Sequence, residues 1–446
     1  MKIGLAFIAQ PDYLDKLTEQ ACTEARQSLQ QQGVDIVSRD KPIVSQSQAV
    51  AASSYFLGED VDGLILFLAS WIECNVAMSF VCEMGHLPLL LWGFPMIAVD
   101  GVRQSTGSYV SFAMFKGVLD RIGCRYEQVL GAPADREAKT AVFRFCRVAS
   151  ARKALRRSRL GLVGYAAMSM YTGTFDHLLM RYLIGPEVVH IDSSTVIGLA
   201  QKMGGEEVER QVQWLRDISP LADDVADNDL QVAASVTRAL LHLCETYELD
   251  GINVKCQPEF SREFGAVACV PVSSLAEFGV VGSCEGDMLC TVSMLLLHKL
   301  SGLPVSYGDC INHDGSVLTL SACGFMPYSF TGREQRLIRR FMPHPAFQGI
   351  QNSFTARPGF MTILRLVEDI GSYHMLIFTG QALADTKLRQ GYMPAVDVAI
   401  TGRMDDLVKA YNGQHYAFAY GDWSAELLSY CRMQGIRADL IGPSSG

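Results

Sequence analysis

Residues 279–309 read GVVGSCEGDMLCTVSMLLLHKLSGLPVSYGD. Gly279-Val280-Val281-Gly282 is a short apolar run with strand character. Ser283 offers a helix cap, and Glu285 and Asp287 place negative charge where a helix N-terminus favours it. Met288, Leu289, Val292, Leu295, Leu296 and Leu300 recur at helical spacing, which predicts a largely buried helix. Ser301-Gly302 followed by Pro304 is a stop signal, and Val305-Ser306-Tyr307 reads as the next strand. Short links in a strand–helix–strand unit predict two parallel, neighbouring strands. Glu285 and Asp309 then follow the two strand ends on the carboxyl edge, where open α/β sheets place ligands. Taken singly, one is a helix-start acid and the other a loop cap. As a pair they suggest a hard divalent metal or an acid/base couple.

Working outward, 446 residues exceed one ordinary domain. A hydrophobic content of 49% with 19% charged residues describes a globular chain with a large core. The net charge of -9 argues against nucleic acid as a partner, and the Arg-rich run 147–159 reads as a solvated helix face. Thirteen cysteines without a CxxC pair suit buried free thiols in a reducing, cytoplasmic setting; Cys82, Cys146, Cys290 and Cys431 all sit in apolar stretches. The apolar start runs into Pro11-Asp12 and reads as a first strand, not a signal peptide. The region 64–99 is too interrupted for a membrane-spanning helix.

Residues 1–155 alternate strand and helix, the rhythm of a doubly wound parallel domain. No GxGxxG or Walker pattern follows a strand, so a nucleotide site is not supported. Trp71, just past a strand end, is a candidate ligand-lining residue or a packing tryptophan. Glu73, Glu83 and His86 read as a solvated helix face, Arg103 as a loop arginine, and His313-Asp314 as groups beside the acid pair or a turn. A second Rossmann-like domain, 156–312, begins with the strand 160–165, and its strand 251–254 leads into Lys255-Cys256-Gln257. In 313–446 the pattern changes to antiparallel strands at 317–321, 360–366 and 374–379, with a turn at 369–372. His415 opens a further strand, 414–420, and a terminal helix covers 423–435. Frequent turns suit a small β-barrel.

The segments CEGDMLCTVSMLLLHKLSGLPVSYGD, GLVGYAAMSMYTGTFD and QHYAFAYGDW resemble the L-fucose and L-arabinose isomerase superfamily, nearer the fucose branch. The resemblance implies two Rossmann-like α/β domains followed by a C-terminal antiparallel β-barrel. It implies interconversion of aldose and ketose with Mn²⁺, or Mg²⁺ or Co²⁺, and homo-oligomers (hexamers or trimers) with the site at a subunit contact. Carried over, it makes Glu285, Asp309 and His415 the metal ligands, the two carboxylates also serving as the acid/base pair. Met170, Lys255, Gln257 and Ser321 fall where the family lines its sugar pocket, and Trp71 resembles a tryptophan supplied by a neighbouring subunit. The chain departs from the pattern at Gln414, where Asn is usual, and at Ala322-Cys323-Gly324, where His-Cys-Gly is usual; fucose is therefore not implied as the substrate. Rival functions are a non-catalytic cytoplasmic sugar sensor, since paired Rossmann-like domains also resemble sugar-binding proteins, and an epimerase or aldolase using the same enediolate chemistry.

Overall fold

The computed structural model describes residues 1–85, 87–342, 344 and 347–442, except for the Glu259 side chain. His86, named above beside Glu73 and Glu83, lies outside the described residues. The chain forms two compact units, Met1–Lys153 with Glu426–Gly435, and Ala154–Ala425 with Ile436–Gly446.

The first unit holds a parallel sheet. Its strands are β1 (Lys2–Ile8), β2 (Asp35–Ser38), β3 (Gly63–Leu68), β4 (Leu89–Gly93) and β7 (Glu127–Leu130), in the order β2-β1-β3-β4-β7; β5 (Ile97–Val99) and β6 (Val102–Gln104) form a separate hairpin. β3 and β4 are buried on both faces, as expected of parallel strands covered by helices. The helix Arg136–Arg157 does not present a bare cationic face: within this unit Arg147 pairs with Glu426 at 3.3 Å, and Arg152 Nε donates to Gln434 Oε1 at 2.8 Å. Arg103 is exposed on β6.

The second unit combines a parallel sheet, a larger sheet that closes into a barrel, and a two-stranded antiparallel pair, Ile338–Arg340 with Ile350–Asn352. Strands β8 (Arg159–Val163), β9 (Glu187–Ile191), β10 (Gly251–Val254) and β11 (Val281–Cys284) make a parallel sheet in the order β11-β10-β8-β9. The others are β12 (Ser306–Asp314), β13 (Val317–Ser321), β14 (Ile338–Arg340), β15 (Ile350–Asn352), β16 (Gly359–Asp369), β17 (Ser372–Ala382), β18 (Ala395–Ile400), β19 (His415–Tyr420) and β20 (Arg437–Ile441). Six of them close a ring, β16-β19-β12-β13-β18-β17 and back to β16, with β20 added parallel to β17. Closure removes the exposed edges that an open antiparallel sheet would leave. Leu318, Leu320, Ile363, Phe378, Val396 and Phe418 fill its core. The turn foreseen at 369–372 is present, with Asp369 opposite Ser372.

The expectation for 279–309 fails in two respects. β12 is not a parallel neighbour of β11. It pairs antiparallel with β13 on one side and β19 on the other. Both of its hydrogen-bonding edges are thus occupied, and β11 remains the edge of the parallel sheet. Asp309 therefore lies inside a strand, not beyond its end. His313 and Asp314 are exposed at the far end of that strand. Ser283 is not the helix cap either: it belongs to β11, and Asp287 caps the helix Met288–Ser301, accepting from Cys290 N at 2.9 Å. This helix is anchored to the barrel through Ser293 Oγ, which accepts from Leu366 N at 2.7 Å.

All thirteen cysteines are free thiols. Cys146, Cys290 and Cys431 are buried as expected, but Cys82 is exposed. No helix among the described residues is long and apolar enough to cross a membrane.

Candidate active site

Strand register assembles the first half of the site. Asp309 sits directly opposite His415 on β19 and opposite Ser321 on β13. Residues opposite one another in a ladder project to the same face, so a histidine, a carboxylate and a hydroxyl form a row. Gly308, one residue before, permits the close approach of the strands: a Cβ there would stand 2.8 Å from Ser321 N.

The second half comes from the turn after β11. Glu285 has φ +71°, and Gly286 follows with φ +71°. Left-handed backbone at a non-glycine residue costs of order 1–3 kcal/mol and persists only where its surroundings enforce it. Here Glu285 N donates to Val254 O at 3.0 Å, and Glu285 O accepts from Ala167 N at 2.9 Å. Gly286 N donates to Asn253 Oδ1 at 2.7 Å, while Asn253 Nδ2 donates to Thr291 Oγ1 at 2.9 Å. Asn253 is wholly buried in β10 and fixes the turn from beneath. A Cβ at Gly286 would lie 2.2 Å from Tyr165 O, so the turn tolerates no side chain there.

The two halves converge. One donor atom from each of Glu285, Asp309 and His415 lies within 4.8 Å of the others. His415 Nε2 is 3.1 Å from Glu285 Oε2 and 3.3 Å from Asp309 Oδ1. On its other side, His415 Nδ1 is 2.9 Å from Asp287 Oδ2. Arg365, on β16 and 0% exposed, donates from Nη1 to that same Asp287 oxygen at 2.9 Å and to His415 O at 2.8 Å. It also donates from Nη2 to Thr172 O at 2.6 Å and from Nε to Asn412 O at 3.1 Å. Tyr307 packs edge-on against the His415 ring, 5.4 Å between centroids.

Burial disfavours the charged form of His415, but Asp287, Asp309 and Glu285 outweigh it and raise its pKa well above 6.5. For Asp287, burial pushes upward, while Arg365 and His415 hold the carboxyl below the usual carboxylate range. Burial raises the thiols of Cys256, Cys284 and Cys269, so the site offers carboxylates and an imidazole, not thiolates. That donor set fits Mn²⁺, Mg²⁺ or Co²⁺.

The remaining expected residues are placed as follows. Ser321 Oγ is buried and donates to Pro394 O at 2.6 Å. Met170 lies in the turn region after β8, its Sδ 2.7 Å from Gln414 Nε2; Gln414 Oε1 accepts from Thr172 Oγ1 at 2.9 Å. Lys255 and Gln257 are half-buried at the end of β10, the strand beside the one that leads to Glu285. Trp71 belongs to the first unit, half-buried past the end of β3, its N–H donating to Thr106 O at 2.9 Å. Asn253, Asp287, Tyr307 and Arg365 were not foreseen as site residues. Arg365 had one signal, a lone cation inside the apolar run TILRLV.

No family model matches the chain. A sulfoquinovose isomerase from Priestia megaterium is 23% identical over 366 residues, covering 80% of this chain and 80% of that protein. Another, from Alkalicoccus urumqiensis, is 24% identical over 362 residues, covering 78% and 79%. Among solved structures, a periplasmic solute-binding protein from Actinobacillus succinogenes with bound D-allose aligns at 8% identity over 68% of this chain and 92% of its own. The TM-score of that alignment is 0.19.

Proposed function

We propose that this chain is an aldose–ketose isomerase acting on a modified monosaccharide, with a divalent ion held by Glu285, Asp309 and His415. The observation that carries the reading is the convergence of those three donors within 4.8 Å. The relatives named sulfoquinovose isomerase support the reaction class and a modified sugar as substrate.

The reaction moves a proton from C2 to C1. Breaking C2–H leaves its electron pair in a C1–C2 enediolate, and protonation at C1 yields the ketose. When bound, the ion would supply Lewis acidity at the substrate oxygens on C1 and C2. One of Glu285 and Asp309 takes the proton from C2 and returns it to C1, and the other carries the hydroxyl proton between the two oxygens. Strained backbone at Glu285 and the doubly paired strand at Asp309 hold both carboxylates in place before substrate arrives, which is where positioning lowers a barrier. Met170, Lys255, Gln257 and Ser321 line the sugar in this reading. The enzyme works as a homo-oligomer, with Trp71 of one copy reaching the sugar bound by another.

The test is conversion of a panel of aldoses, sulfonated and deoxy sugars included, by metal-stripped protein with and without added Mn²⁺. Ketose formation that requires the ion supports the reading. Sugar binding without conversion overturns it in favour of a sensor.

A further inference from the structure

The contacts behind His415 do more than hold the fold. Asp287 Oδ2 faces two groups at once, Arg365 Nη1 and His415 Nδ1, each at 2.9 Å. Asp287 is 2% exposed and Arg365 0% exposed, so no solvent competes for that oxygen. A carboxylate paired with a guanidinium is acceptor-only. The imidazole must then present N–H at Nδ1, which leaves Nε2 with its lone pair toward Glu285 and Asp309 when the ring is neutral. Arg365 fixes the same ring a second way, by donating to the carbonyl of His415 itself.

Four of the five guanidinium N–H groups have partners. Besides Asp287 and His415 the guanidinium holds the carbonyls of Thr172 and Asn412. Thr172 in turn bonds Gln414, the residue before His415, and Gln414 meets Met170. A buried ion pair of this kind is a poor source of stability compared with apolar packing, because both charges lose their hydration. Its arrangement is instead that of a group which orients a metal-binding imidazole.

We infer that Asp287 and Arg365 are positioning residues that preset His415 as the Nδ1–H tautomer and so set the affinity of the three-donor site for a divalent ion. The inference rests on the metal reading above. Arg365 also links that setting to the Met170–Gly173 turn, so the ion site and that wall of the sugar pocket are organised by one side chain.

The experiment is binding of Co²⁺ to metal-stripped wild-type protein and to Asp287→Asn, followed by calorimetry and by the visible spectrum of the bound ion. Asparagine keeps an oxygen for Cys290 N but turns an NH₂ toward two donors, which drives the His415 proton to Nε2. The expected result is a loss of affinity of about 10–100-fold and an altered Co²⁺ spectrum. A variant that folds, binds Co²⁺ as tightly as wild type and shows the same spectrum overturns the inference while leaving the metal reading intact. Wild-type protein that takes up no divalent ion overturns the metal reading itself, and the inference with it. Should Asp287→Asn not fold, nitrogen-15 NMR of labelled histidine in Mg²⁺-loaded wild type decides: a protonated Nδ1 at His415 supports the inference, and a protonated Nε2 overturns it.

Discussion

Replacing Arg365 with leucine removes the donor to four acceptors in one step: the Asp287 carboxylate and the carbonyls of His415, Thr172 and Asn412. Taking the guanidinium from the buried Asp287 carboxylate, whose remaining partner is His415, costs about 3–5 kcal/mol. Three carbonyls losing a donor add about 1 kcal/mol each, and burying the leucine returns roughly 2 kcal/mol. The expected loss is therefore about 4–6 kcal/mol from these opposing contributions. At roughly 2 °C for each kcal/mol, Tm falls by about 8–12 °C. Scanning calorimetry of metal-free protein, with urea unfolding as a cross-check, measures it. Removing the Asp287 charge as well, in Asp287→Leu with Arg365→Leu, should leave the protein less damaged than the two single losses added together. A loss under about 1 kcal/mol for Arg365→Leu, or strict additivity in the double variant, would refute the view that these side chains form one buried unit.

Glu285→Gln should lower kcat at least about 100-fold, the usual contribution of a positioned acid or base, with the circular dichroism spectrum unchanged; near-normal turnover contradicts the assignment. Gly286→Ala should destabilise by more than about 1 kcal/mol, since alanine would have to adopt φ +71° against Tyr165 O; urea unfolding reads this directly. The raised pKa of His415 has two consequences. In metal-free protein its charge contributes stability that is full below pH 6.5, the ordinary histidine value, and is lost as pH rises through the raised value. Near neutral pH, uptake of a divalent ion must expel that proton, so calorimetry in two buffers of different ionisation enthalpy should show close to one proton released per ion; no release contradicts the shift. Trp71→Ala should raise KM while leaving metal affinity unchanged, and a fall in metal affinity instead would sink its role as a sugar contact.

Much of the α/β architecture is legible in sequence because parallel strands buried on both faces appear as unbroken apolar runs, as in Gly63–Leu68 and Leu89–Gly93. The barrel is less so. β16 and β17 announce themselves through the turn between them, but β14 and β15 have three residues each, and β20 is partly exposed and carries Arg437 and Asp439. The pairing of β12 was misjudged because link length constrains neighbours only when the next strand has a free edge to offer. Glu285 and Asp309 stand out as acids beside apolar runs, although Asp309 lies inside β12 and not at its end, and His415 through a family resemblance. Asp287 was in plain view in the same motif yet read as a helix-end charge. Its partner lies 78 residues away, a distance over which local patterning carries no information.

The most direct test of the central claim is ketose formation by metal-stripped protein supplied with a sulfonated aldose, before and after Mn²⁺ is restored, in wild type and Glu285→Gln. The account predicts no turnover without the ion, turnover when it returns, and none in the variant under either condition. Full turnover by the stripped enzyme, or an active variant, would contradict it.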